Sequence, residues 1–156
     1  MSQTLALDVV HEVRDRCLCL ASQRAARVLA RRFDRAFQPV GLTNNQYSLM
    51  IALSASIPMN MRQLAAFLAM DRTTLTAALK LLKGRGLVVV GPDDTDRRAR
   101  RLGLTEAGRK ILDAAIPIWR AEHAAIDAEM SALEARQLRA SLGRIGSPTN
   151  SRKENS

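Results

Sequence analysis

Two cysteines, two histidines and no apolar run long enough to cross a bilayer mark this 156-residue chain by what it lacks. A membrane helix needs roughly 18 or more consecutive apolar residues, and none is present. The start MSQTLALDVVHEVRDR has no basic stretch followed by an apolar one, so no secretory leader is read there and a cytoplasmic protein is expected. Cys17 and Cys19 are too close in sequence to staple a fold. They also fail as a metal pair, because side chains two apart on a helix point about 200° from each other, and no His or acidic cluster completes a site. His11 and His123 stand 112 positions apart, and neither a Gly-rich phosphate loop nor a G-x-S-x-G motif occurs. No enzyme, no cofactor and no metal are expected.

Acidic residues are also short, with fifteen Asp and Glu against twenty-four Lys and Arg, twenty of them Arg, for a net charge of +9. A chain of this length buries one moderate core. Its charge is unevenly placed. Residues 72–110 carry ten basic and four acidic side chains, residues 1–38 seven and four, and residues 111–156 six of each. A local excess of arginine steers a polyanion and suits bidentate phosphate contact, so an anionic partner is expected and the neutral last third is free for another task.

Along the chain, apolar residues recur every three or four positions from Leu7 to Phe37 without Pro or Gly, which predicts one long amphipathic helix ended by Pro39 and Gly41. Thr43 with Gln46, and Asn60 with Gln63, read as capping boxes opening two shorter helices. Those helices run to about Ser56 and Ala69. Asp71 caps the next helix, to about Lys83, with Gly84 and Gly86 marking its end. Leu87 to Val90 and Arg100 to Leu104 read as the strands of a hairpin with the charged tip GPDDTDRR. Thr105 caps a helix to about Glu129, with a kink predicted at Pro117, and Leu133 to Ile145 makes a last helix. The segment from Gly146 onward lacks apolar residues and is expected to be disordered. The fold class is therefore mainly α with a small β-hairpin wing: a winged helix-turn-helix.

On a helix turning about 100° per residue, Leu75, Ala78, Leu79 and Leu82 share one face. Thr73, Ala77 and Lys80 lie opposite, with Thr74 and Thr76 on the flanks. That outer face is small, polar and free of acids, so it fits the major groove, where Thr hydroxyls and methyls meet base edges. A Thr-rich solvated face is the plain alternative. Arg72 and Lys80 add phosphate or guanine contacts. In the wing, Arg97 and Arg98 at the tip are placed to reach a minor groove, with Arg100 beside them on the strand. Asp93, Asp94 and Asp96 shape the turn or hold an arginine.

The segments DRTTLTAALKLLKGRGLV (Asp71 to Val88) and PDDTDRRARRLGLTEAGR (Pro92 to Arg109), with the D-R-R turn and the L-T-x-x-G junction, resemble the MarR family of bacterial transcriptional regulators. The resemblance extends over roughly residues 5–145. It implies a homodimer in which the first and last helices of two subunits interlock, leaving two winged domains to bind a pseudo-palindromic operator. Residues 1–38 would then be an N-terminal dimerisation helix, 39–104 the DNA-binding domain, 105–145 the C-terminal dimerisation helices and 146–156 a tail. Thr73, Thr74, Thr76 and Lys80 match base-facing positions, and Arg98 matches the wing arginine. The apolar stripes of the first and last helices support a dimer independently, since a second copy would bury them.

The resemblance further implies a regulator, typically a repressor, released by a small effector such as an aromatic acid, an acyl-CoA compound or an oxidant. The cleft expected for such an effector lies where the first, second and fifth helices meet, near His11, Arg14, Arg16, Tyr47, Met50 and Trp119, none of which is assigned a ligand role. Cys17 is the redox candidate, with Arg14 and Arg16 beside it; small buried apolar side chains are the other reading of both cysteines. A non-sensing or architectural DNA-binding protein is the competing functional reading.

Overall fold

A computed structural model describes residues 7–55, 59–92 and 100–146. Among the described residues, seven α-helices and one hairpin follow in the order α1 (Leu7–Arg16), α2 (Leu18–Ala36), α3 (Asn44–Leu53), α4 (Met61–Phe67), α5 (Arg72–Gly84), β1 (Val88–Pro92), β2 (Arg100–Leu104), α6 (Glu106–Asp127) and α7 (Ala132–Gly146). The single sheet pairs β1 antiparallel with β2, Val88 opposite Leu104 and Val90 opposite Leu102. This is the expected winged helix-turn-helix flanked by helices at both ends. None of the described helices is long and apolar enough to cross a membrane. The tail beyond Gly146 lies outside the described residues.

The long first helix is corrected to two. Cys17 leaves the helical conformation (φ −76°, ψ 102°), and its Sγ accepts a hydrogen bond from the Leu20 amide at 3.4 Å. The thiol thus takes the place of the Ser or Asp that usually satisfies an orphan amide at a helix start. No α1 residue is buried, so no core packing holds that segment in line with α2.

The capping boxes appear as expected. Thr43 and Gln46 exchange hydrogen bonds at the start of α3, and Asn60 and Gln63 at the start of α4. Asp71 and Thr105 cap α5 and α6 through the amides of Thr74 and Gly108. With entries fixed locally, the apolar faces converge: Phe33 and Phe37 from α2, Leu49 and Met50 from α3, Leu64 from α4, Leu75, Leu79 and Leu82 from α5, and Leu112 from α6. Six of the largest (Phe37, Leu49, Met50, Leu64, Leu75, Leu82) are fully buried. Each such side chain contributes roughly 1.5–3 kcal/mol by leaving water.

Two junctions position the winged unit. In the first, Ala69 between α4 and α5 adopts a left-handed backbone (φ +50°), the only described non-glycine residue to do so. Its amide and that of Met70 donate back to Ala66 and Ala65 carbonyls, which closes the tight corner of the helix-turn-helix. In the second, Thr105 donates from its hydroxyl to the Gly86 carbonyl at 2.7 Å and from its amide to the Leu87 carbonyl at 3.1 Å. Gly108 follows so closely that a Cβ there would sit 2.0 Å from the Leu87 oxygen. The L-T-x-x-G pattern therefore welds α6 to the start of β1.

Candidate nucleic-acid interface

The face of α5 is built as its periodicity predicts. Leu75, Leu79 and Leu82 are buried, while Arg72, Thr73, Thr74, Thr76, Ala77 and Lys80 are exposed. Asp71 accepts hydrogen bonds from both the amide and the hydroxyl of Thr74, at 2.8 and 2.5 Å. These bonds, the hydroxyl's above all, hold the carboxyl below its ordinary range. Its charge sits at the positive end of the helix dipole and leaves the outer face free of acid.

The three threonines are not equivalent. Thr74 donates its hydroxyl proton to Asp71, and Thr76 donates its own to the Arg72 carbonyl at 2.7 Å. Both therefore offer outward lone pairs and methyl groups, which suit an amino group of adenine or cytosine, or a thymine methyl. The Thr73 hydroxyl has no hydrogen-bond partner among the described residues and is free to donate as well.

Between α4, α5 and β1 lies a concave surface of about 440 Å³ whose lining includes Arg72, Thr76, Lys80 and Lys83, floored by Met61 and Val90. The expected Arg72, Thr76 and Lys80 are thus brought together, and Lys83 joins them. Lys83 went unread in the sequence although it stands one helical step of three from Lys80, a spacing that places both on one side. Arg97 and Arg98 lie outside the described residues. Arg100 opens β2, where it pairs with Pro92 in the register.

A second cavity, of about 480 Å³, lies between α3, α4 and α6. Tyr47, Ser48, Ile51, Phe67, Trp119 and Arg120 are among its lining residues. It continues into a ring of aromatic contacts: Phe33 to Phe37 (5.9 Å between centroids), Phe37 to Tyr47 (4.7 Å), Tyr47 to Trp119 (6.5 Å), Trp119 to His123 (4.5 Å) and His123 back to Phe33 (5.0 Å). Burial pushes the Tyr47 hydroxyl above its ordinary pKa, against the pull of nearby Arg120. Of the residues expected near an effector cleft, Tyr47 and Trp119 line this cavity and Met50 is buried in the core. His11, Arg14 and Arg16 are exposed on α1, with Arg14 paired to Asp15 at 2.6 Å and Arg16 to Glu12 at 2.9 Å. Arg120, absent from the expected set, is the cation the cavity does present.

Cys17 is half-buried at its capping position, whereas Cys19 is exposed and accepts from the Gln23 amide group at 3.2 Å. The reading of both as buried apolar side chains is corrected accordingly. The break at Cys17 also removes the premise that both thiols stand on one continuous helix.

The MarR family model matches residues 40–99, a span from the end of α2 into the wing. The M. tuberculosis transcriptional regulator MosR, solved in complex with DNA, is 39% identical; the match covers 83% of this chain and 95% of that one, with a TM-score of 0.73. The chain belongs to the MarR family. CouR from Rhodococcus jostii, solved with p-coumaroyl-CoA, is 26% identical, covers 86% and 95% of the two chains and has a TM-score of 0.75. The HTH-type transcriptional repressor NicR of Pseudomonas putida is 38% identical over 79 residues, which are 51% of this MarR-family chain and 50% of NicR. The chain thus spans about half the length of that curated relative.

Proposed function

We propose that this MarR-family chain is a homodimeric, effector-responsive transcriptional regulator, acting as a repressor, that binds a pseudo-palindromic duplex through α5 and the wing. The observation that carries this reading is the acid-free outer face of α5, with Thr73, Thr76 and Lys80 exposed directly behind a buried leucine row. A solvated helix face needs no such exclusion of acids, and a helix entering a groove between two phosphate strands does. MosR in complex with DNA supports the same partner.

The test uses a duplex selected by the full chain from a random pool. Thr73→Ala should erode discrimination between that duplex and random DNA by about 1–3 kcal/mol. Lys80→Ala should weaken both nearly equally and flatten the salt dependence by about one counter-ion. Unchanged affinity and discrimination in both variants would rule out α5 as the reading element.

Release by an effector is assigned to the cavity of Tyr47, Trp119 and Arg120, where an aromatic ring would stack and an anionic group would pair. The p-coumaroyl-CoA complex of CouR favours an aromatic acid or its CoA thioester. A panel of both classes, scored by release of the selected duplex, identifies the effector, and Trp119→Ala should abolish the response. Tight binding that no member of the panel weakens would favour the non-sensing alternative.

Cys17 stays a redox candidate on one observation, the capping bond of its Sγ to the Leu20 amide. Oxidation of that thiol by a hydroperoxide to the sulfenic acid, with release of the alcohol, would alter the α1–α2 break. A peroxide response intact in Cys17→Ser removes this branch.

A further inference from the structure

The basic excess of the first 38 residues is not used by the winged unit, and it has a definite place. Arg24, Arg27, Arg31 and Arg35 of α2 are all exposed. At about 100° per residue they fall within an arc of roughly 80°, and Phe33, the buried residue of the same helix, points about 160° from its middle. Between positions 24 and 35 this arc holds arginines alone. Arg24, Arg31 and Arg35 have no ion pair among the described residues, and Arg27 meets only the Gln23 amide oxygen at 3.4 Å. The neighbouring acid, Asp34, is committed to the Asn44 amide at 2.7 Å. Arg32, outside the arc, is neutralised instead, by Glu122 of α6 and by Glu129 just beyond that helix.

We propose that this arginine face is a second phosphodiester-binding surface, engaging duplex DNA that flanks the segment read by α5. The proposal rests on the DNA-binding reading above and extends it. Four like charges along about 16 Å of helix repel one another, and a polyanion is the partner that relieves this. Guanidinium groups pair bidentately with phosphate oxygens. The stripe is also continuous with the winged unit. Its Arg35 end leads through Gln38–Val40 to Gly41, where a Cβ would lie 3.5 Å from Nη2 of Arg85, the C-cap residue that follows α5. A membrane surface fits less well, because an interfacial helix must bury an apolar face in lipid, and α2 already buries Phe33 in the core.

The experiment compares the wild-type chain with Arg24→Gln/Arg31→Gln, two side chains without a hydrogen bond or ion pair among the described residues. Two duplexes are used: one just spanning the site selected from a random pool, and one longer by about one helical turn, about 10 bp, on each side. On the longer duplex the slope of log affinity against log salt should fall by about 1.8 for each protomer that loses two contacts. On the shorter duplex the two proteins should behave alike, with equal thermal midpoints. Equal slopes on the longer duplex, or the same change on both lengths, would overturn the proposal. A variant altered only in binding to vesicles of anionic lipid would overturn it in favour of a membrane. If the wild-type chain selects no duplex, the functional reading falls and takes this inference with it; specific wild-type binding without a length-dependent slope sinks the inference alone.

Discussion

At the scale of single residues, Gly108 shows how a backbone contact dictates a side chain. Its missing Cβ leaves room for the Leu87 carbonyl, which would otherwise sit 2.0 Å away. The obstacle is main chain, already tied to the Thr105 amide at 3.1 Å, so it cannot rotate aside. Gly108→Ala should therefore cost about 1–3 kcal/mol or more, lowering the thermal midpoint by on the order of 3–12 °C. A calorimetric scan with an unchanged midpoint would show that the junction yields freely. His123 supplies a pH-dependent counterpart. It packs in tilted contact between Phe33 and Trp119, and burial lowers its pKa, partly opposed by Asp127 and reinforced by Arg139. A group whose folded pKa is depressed stabilises the fold above its unfolded pKa of about 6.5, and this stability is lost as pH falls through the folded value. The urea midpoint should drop as pH falls below about 6.5, before the carboxylate range is reached. His123→Phe should flatten that drop; an unaltered profile would place the titration elsewhere.

At the scale of elements, what the sequence discloses follows how local the cause is. The starts of α3, α4, α5 and α6 were legible because capping needs only residues three apart: Thr43 with Gln46, Asn60 with Gln63, Asp71 with Thr74 and Thr105 with Gly108. The exposed face of α5 was legible because a buried leucine row fixes its opposite. The α1–α2 break was not, since a cysteine at position 17 carries no conventional capping signal. Lys83 and Arg120 gained their places only when α5 and α6 packed against β1 and α3. Ala69 was equally hidden, because alanine is the best of helix formers and gives no sign of a left-handed turn. That turn costs a non-glycine residue roughly 1–2 kcal/mol, while glycine adds roughly 0.5–1 kcal/mol of unfolded-chain entropy to be lost. Ala69→Gly should consequently stabilise the helix-turn-helix by about 0.5–1 kcal/mol, read as a higher urea midpoint at an unchanged slope. A lower midpoint would mean that the corner is not strained at φ +50°.

At the scale of the whole molecule, the unsolved problem is apolar surface at both ends of the chain. Leu18 in α2 is 69% exposed and Ile145 in α7 is 64% exposed, with Leu138 and Leu142 on α7 about half exposed. The winged unit does not cover them, because Leu64, Leu75, Leu79 and Leu82 pack into its own core. Within the chain, α7 is fastened to α6 by the Arg139–Asp127 ion pair and buries only Ala135. An exposed ion pair contributes at most about 1 kcal/mol, so α7 has little reason to stay ordered except as one half of a larger interface. In the homodimer we propose, a second copy related by a twofold axis would supply that interface and would set two α5 helices about 34 Å apart, one turn of duplex. Leu142→Glu/Ile145→Glu should therefore yield a monomer by sedimentation equilibrium, with the winged unit intact by its thermal transition. Its affinity for the selected palindrome should fall about 10²–10⁴-fold, the factor gained by tethering two sites, while affinity for a single half-site stays as it was. A variant that sediments as a dimer and binds the palindrome at full strength would show that α7 does not hold the two subunits together.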